Sequence, residues 1–202
     1  MPFYDDFDNG FDNWLISGQD WGADTLTFRS PPNSITDSPD GNYPVYSNAT
    51  LRLAHPIDLS SSSAPVLSFW HQYYVTQNSD YCYVEVSEDG GFVWIEEASY
   101  TGYTTTLSPE TIDLSAYTTS PILIRFRLWD NGDGNYYNGW HIDDVEITGP
   151  NSVHVFQSSN PREYCLNQNY PNPFNPSTKI SWQSSIGSWQ TLKVYDLSLI
   201  HI

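Results

Sequence analysis

Two acidic clusters stand near opposite ends of the first 150 residues: Asp5-Asp6-Phe7-Asp8 and Asp143-Asp144. Adjacent carboxylates repel one another unless a proton or a cation sits between them. Asp6, Asp8, Asp37, Asp143 and Asp144 form an all-oxygen donor set, and calcium takes about 6–8 oxygens in a flexible geometry. The expectation is a structural calcium ion that ties the start of the fold to its end. The competing reading is that these aspartates cap turns and face water.

Other chemistry finds less support. No His-Glu-x-x-His helix, Gly-x-Ser-x-Gly elbow or phosphate-cradling glycine loop occurs. The five histidines are scattered singly. His71 has the parity of Leu67 and Phe69, which makes it a core or rim residue rather than a base. Carboxylate pairs suited to glycoside hydrolysis remain open on residue type alone, but the expectation is a chain without catalysis. Asp130-Asn131-Gly132-Asp133-Gly134-Asn135 has the look of an EF-hand loop. Its spacing puts glycines at the third and fifth positions and no helix flanks it, so it reads as a hairpin loop. Tyr136 and Tyr137, with Tyr100, Tyr103 and Tyr117, fall in or near loops where their rings could stack on sugars.

The elements that must position these groups are strands. Turn signals such as Asp8-Asn9-Gly10, Asp40-Gly41-Asn42 and Asp89-Gly90-Gly91 punctuate short runs rich in Val, Ile, Tyr, Trp and Phe, and no segment has helical periodicity. That rhythm predicts an all-β jelly-roll sandwich of two antiparallel sheets. The clearest strands are 65–75, 80–87, 92–98, 121–129 and 139–147. In the fourth, Ile122, Ile124, Phe126 and Leu128 share one face, which belongs in the core. In the fifth, Trp140 and Ile142 have one parity and Val145 and Ile147 the other, so a β-bulge at Asp143-Asp144 is needed to bury all four. Ile57-Asp58-Leu59-Ser60 and Ile112-Asp113-Leu114-Ser115 form a weak internal echo, each leading into a long strand.

Composition divides the chain. Aromatic residues make up 16% of it, with eight Trp and fifteen Tyr, enough for a large core. Residues 1–150 hold 22 acids against four Arg and no Lys, a balance of −18, whereas residues 151–202 stand at +1. So acidic a module is repelled by nucleic acid and by anionic membranes. Two separated cysteines, Cys82 and Cys165, argue against a disulfide scaffold and a Cys-based zinc site. No run of 18 apolar residues occurs, so no transmembrane segment is expected. Met1-Pro2-Phe3-Tyr4-Asp5-Asp6 does not read as a signal peptide. The expected organisation is a sandwich over 1–149, a linker over 150–163, a small incomplete β segment over 164–197, and a non-native tail at 198–202.

Two resemblances refine this. Tyr170-Pro171-Asn172-Pro173-Phe174-Asn175-Pro176, followed by Leu192-Lys193-Val194-Tyr195-Asp196, resembles the opening of the C-terminal sorting domain of the bacterial type IX secretion system. It implies export by that machinery to the outer surface of a Gram-negative bacterium, or release, and therefore a fragment of a longer protein. Asp5-Asp6-Phe7-Asp8, Trp14, Trp21, the run Thr36–Tyr43, Leu67-Ser68-Phe69-Trp70-His71 and Gly139-Trp140-His141-Ile142-Asp143-Asp144-Val145 resemble the MAM-like modules beside immune-inhibitor-A-type metallopeptidases. That resemblance implies a non-catalytic accessory module with structural calcium, binding an extracellular protein or glycan. The alternative is a carbohydrate-binding module of a secreted glycoside hydrolase or adhesin.

Overall fold

The computed structural model describes residues 3–18, 21–135 and 137–149, and the backbone of Cys165–Leu166 and Trp182–Gln183. The chain forms two compact units, Met1–Ser152 and Val153–Ile202. In the second, Cys165–Leu166 pairs antiparallel with Trp182–Gln183. Tyr136 and the segment Tyr170–Pro176 lie outside the described residues.

The first unit is all β. Its strands are β1 (Phe3–Asp5), β2 (Trp14–Ser17), β3 (Gly22–Asp24), β4 (Ser34–Thr36), β5 (Asn48–Leu53), β6 (Val66–Tyr74), β7 (Tyr81–Ser87), β8 (Ile95–Tyr100), β9 (Ser108–Asp113), β10 (Leu123–Trp129) and β11 (Gly139–Thr148). The one helical piece among the described residues is a 3-10 turn at Ser115–Tyr117. Every pairing is antiparallel. One sheet runs β3-β4-β11-β6-β9, with β1 also on β11; the other runs β2-β5-β10-β7-β8. The result is a jelly-roll-like sandwich of two antiparallel sheets.

Alternation dictates the packing. Ile122, Ile124, Phe126 and Leu128 are fully buried, as are Cys82, Val84 and Val86 of the neighbouring strand. Phe126 sits at the centre, with ring centroids of Phe69, Trp140 and Trp14 at 5.2, 5.5 and 5.8 Å. The bulge forms where parity requires it: the β11–β6 register shifts between Asp143 and Glu146, and Asp144 adopts φ 49°. Trp140, Ile142, Val145 and Ile147 are all buried in consequence.

The bulge also marks a change of partner. One edge of β11 meets β6 throughout, while β4 pairs with Ile142 and His141, and β1 pairs with Val145 to Ile147. The first and last strands thus run side by side. The expected strand at 92–98 begins later, at Ile95, because Asp89 Oδ1 draws the amides of Phe92 and Val93 into a turn at 3.0 and 2.9 Å. The sequence echo has a structural counterpart. Asp58 accepts the Ser60 amide at 2.9 Å and Asp113 accepts that of Ser115 at 2.8 Å, each beside a buried leucine, Leu59 or Leu114.

Candidate functional site

The β4–β5, β6–β7, β8–β9 and β10–β11 loops gather at one end of the sandwich. Backbone bonds tie them together: the amide of Tyr43 to the carbonyl of Tyr137, Asp130 to Ser47, and Val75 to Gly102. Among the described residues, Asp80, Asp130 and Asp133 place one carboxylate oxygen each within 4.8 Å of the others, a group able to hold a metal ion. Asp80 and Asp130 are buried and Asp133 is exposed.

The surroundings polarise this group. Asp80 Oδ2 accepts the Tyr43 hydroxyl at 2.7 Å and Asp80 Oδ1 the Asn131 amide at 3.2 Å. Asp130 accepts the amides of Tyr46 and Gly132. Burial raises the Asp130 carboxyl above the ordinary range, and the hydrogen bond and charge of Asp80 add to the rise, against the pull of those amides. Asp133 accepts Ser79 Oγ at 2.7 Å, which fixes the two loops to each other. Carboxylate oxygens alone suit a hard cation such as calcium. Asp130 and Asp133 belong to the loop whose EF-hand spacing fails. Their partner comes from 50 residues earlier, a convergence that no local spacing rule can register.

Beside this cluster stand three tyrosines. Tyr74 and Tyr137 stack at 4.1 Å with 12° between planes, and Tyr103 meets Tyr74 at 5.6 Å. Tyr74 is 43% exposed and Tyr103 67%. Of the tyrosines named from sequence, Tyr103 and Tyr137 join this patch. Tyr100 packs on His71 at 4.5 Å inside, and the ring of Tyr117 is buried with its hydroxyl on Glu97. Tyr74 was hidden at the end of a strand.

The five aspartates expected to form one clasp are divided. Asp143 accepts the amides of Arg29, Ser30 and Asp144 at 2.6, 2.9 and 2.8 Å. Asp144 accepts the hydroxyls of Tyr4 and Ser30, both at 2.9 Å. Asp6 bears on Tyr4 as well, so Asp6, Asp143 and Asp144 surround that phenol and push its pKa up, after burial. Asp8 sits in the following turn, its amide on Asp6 at 3.2 Å. Asp37 is elsewhere: it accepts the Trp140 amide at 2.6 Å, three residues before Asp143, about 10 Å along an extended strand. Burial raises Asp37 to about 7 and Asp143 to about 7. The buried acid of the first cluster is Asp5, which holds Phe7, Asn13 and Trp14 through its two oxygens. Its inward parity with Phe3 and Phe7 was the available signal.

His71 is 3% exposed, takes the Trp140 indole hydrogen bond at 3.3 Å, and is lowered to about 4 by burial. It is a core residue. No helix of the described residues is long and apolar enough to cross a membrane.

Comparison with known proteins finds this architecture elsewhere. No family model matches the chain. Bacillopeptidase F of Bacillus subtilis (strain 168) is 31% identical over 152 residues, an alignment covering 71% of this chain and 10% of that protein. The K2 cleaved adhesin domain of Lys-gingipain superposes with a TM-score of 0.54 at 15% identity, covering 73% of this chain and 99% of that one. The C-terminal family 22 carbohydrate-binding module of Clostridium thermocellum Xyn10B superposes at 0.50 with 9% identity, covering 75% and 95%. The chain is thus homologous to a tenth of a peptidase's length and shares its fold with adhesin and carbohydrate-binding domains.

Proposed function

We propose that this chain is a non-catalytic accessory module of an exported multidomain protein associated with a peptidase. The observation that carries the reading is the alignment to a short stretch of a much longer peptidase, over a sandwich that superposes on almost the whole of a separate adhesin domain. Such a module holds a partner or surface near the enzyme it accompanies. The proline- and asparagine-rich segment Tyr170–Pro176 is the proposed address for type IX export.

A second reading, glycan binding, is favoured by the Tyr74–Tyr103–Tyr137 patch, in which Tyr74 and Tyr103 are exposed and Tyr137 backs Tyr74, since rigid rings suit sugar faces. A glycan array decides between them. Binding that Tyr74→Ala and Tyr103→Ala abolish establishes the carbohydrate reading, whereas a blank array with intact folding removes it.

Calcium belongs to the same proposal. One group brings its oxygens within reach of a single ion among the described residues, Asp80, Asp130 and Asp133 at the loop end; the alternative donors are Asp6, Asp143 and Asp144 of the clasp expected from sequence, which share their influence on Tyr4. A cation at the loop end would relieve Asp130, and one at the clasp Asp143, the carboxylates that burial disfavours. Chelation is expected to lower the melting temperature, and the insensitive variant, Asp130→Asn or Asp144→Asn, identifies the site. A melt unchanged by chelator in the parent chain rules the ion out.

A further inference from the structure

The turn between β7 and β8 is built by Ser87 and Asp89. Ser87 Oγ donates to Asp89 Oδ1 at 2.8 Å and accepts the Gly91 amide at 2.8 Å. Asp89 Oδ1 accepts the amides of Phe92 and Val93, and the Trp94 indole donates to the Gly91 carbonyl at 3.0 Å. Every group recruited from Phe92 and Val93 is backbone, so the turn does not depend on which side chains stand there. Those side chains are nevertheless apolar, 89% and 62% exposed, with Ile95 following at 45%. Folding holds this apolar tip outside on a rigid support, and exposed apolar patches of that kind mark contact surfaces.

The strand that leaves the tip is an edge. Among the described residues the sheets of the sandwich end in β1, β2, β3, β8 and β9. β1 and β3 have three residues and β2 has four, and β9 carries Pro109, which lacks a backbone donor. Short edges and proline keep a sheet from recruiting another strand. β8 has six residues and no proline. It is guarded by a register shift against Val84 and Glu85, which leaves Glu97 unmatched, and by the charges of Glu96 and Glu97. Glu97 accepts the Tyr117 hydroxyl, whereas Glu96 and, at the turn, Glu88 are exposed. Such charges discourage pairing with a like strand, not with one of opposite charge.

We infer that β8 and its tip dock an extended, basic segment of another polypeptide, which adds to this edge as a further strand and covers Phe92 and Val93. A row of backbone donors and acceptors along an edge is matched in register by another backbone, not by a sugar or a lipid. The side chains of Phe92, Val93 and Ile95 offer nothing to a glycan's hydroxyls, and the flanking acids repel the anionic headgroups that an apolar tip could otherwise enter. The same acids favour a cationic partner. The chain itself disfavours a second copy. Residues 1–150 hold no Lys and four Arg, of which Arg125 and Arg127 are paired with Glu85, and β8 laid against β8 brings glutamates together. This surface rests on the accessory-module reading for the source of the partner alone, and it is independent of the glycan reading.

The test adds a soluble peptide of alternating lysine and valine to the full chain and reads backbone hydrogen exchange. The expected result is saturable protection centred on Ile95–Tyr100 that weakens with salt. Affinity is expected to fall about tenfold in Glu96→Lys and about tenfold in Phe92→Ser, the order of one reversed charge or one lost anchor. Asp40→Lys, at an exposed turn elsewhere, is expected to keep the parent affinity. The same peptide with alternate backbone amides N-methylated keeps its charge but loses donors, and is expected to give no protection. Equal binding by the methylated peptide, or an equal loss in Asp40→Lys, reduces the contact to bulk charge and overturns the inference, as does absence of protection at β8. It is overturned too if β8 becomes protected with rising chain concentration and no peptide, which points to a second copy, or if phosphatidylcholine vesicles bind the parent and not Phe92→Ser, which points to a lipid surface. No peptidase takes part, so failure here and failure of the accessory-module reading are told apart.

Discussion

Asp37 and His71 carry opposite electrostatic burdens inside one core. Asp37 stands at about 7 against an ordinary 3.8, because burial disfavours its charge. Between those values the folded state keeps a proton that the unfolded chain has released, so this group's contribution is fully present in acid and is lost as pH rises towards 7. His71 stands at about 4 against 6.5, again through burial. There the unfolded chain holds the extra proton, so its contribution is present above 6.5 and lost as pH falls towards 4. The two slopes oppose each other between about pH 4 and 6.5, at about 1.4 kcal/mol per pH unit each. Asp37→Asn removes the falling one. Denaturant unfolding across that range is expected to give the variant a slope more positive than the parent by about that amount. Equal slopes would show that Asp37 ionises normally in the fold.

At the scale of elements, the bulge in β11 joins packing to polar chemistry. A left-handed residue at Asp144 shifts the register so that Val145 and Ile147 turn inward, and it releases two carboxylates towards Arg29, Ser30 and Tyr4. A β-branched side chain is strained at φ 49°, and loses the Tyr4 and Ser30 hydrogen bonds too. Asp144→Val is expected to cost about 2–4 kcal/mol in chemical denaturation, from backbone strain together with the lost bonds. Asp144→Asn, which tolerates that backbone conformation, should cost much less. Similar losses in both would mean that charge, not conformation, sets the role of this position. The same bulge was readable beforehand from the parity of Trp140, Ile142, Val145 and Ile147. The turn at Asp89 was not, because Phe92 and Val93 have strand-forming side chains, and only the carboxylate that captures their amides removes them from the strand.

For the molecule as a whole, the sandwich and the C-terminal segment answer to different tests. The proposed export address is tested on the segment alone: a secreted reporter fused to residues 150–202 is expected to reach the surface of a type IX-competent cell. Surface delivery that persists after Tyr170–Pro176 is scrambled would remove the address from that run.

By itself the sequence determined the all-β class, the inward face of Ile122, Ile124, Phe126 and Leu128 and the register shift at Asp143-Asp144, because side-chain alternation is a local property of an extended chain. Parity also marked His71 as a core or rim residue rather than a base, and burial settled it as core. Tertiary structure decided which acids and aromatics meet. Asp80 reaches Asp130 and Asp133, Tyr74 reaches Tyr103 and Tyr137, and Arg52 comes to lie beside Arg125, all through pairings between segments far apart in the chain. It separated Asp37 from Asp143 for the same reason, as strand register fixes distance along β11 whatever the charges prefer.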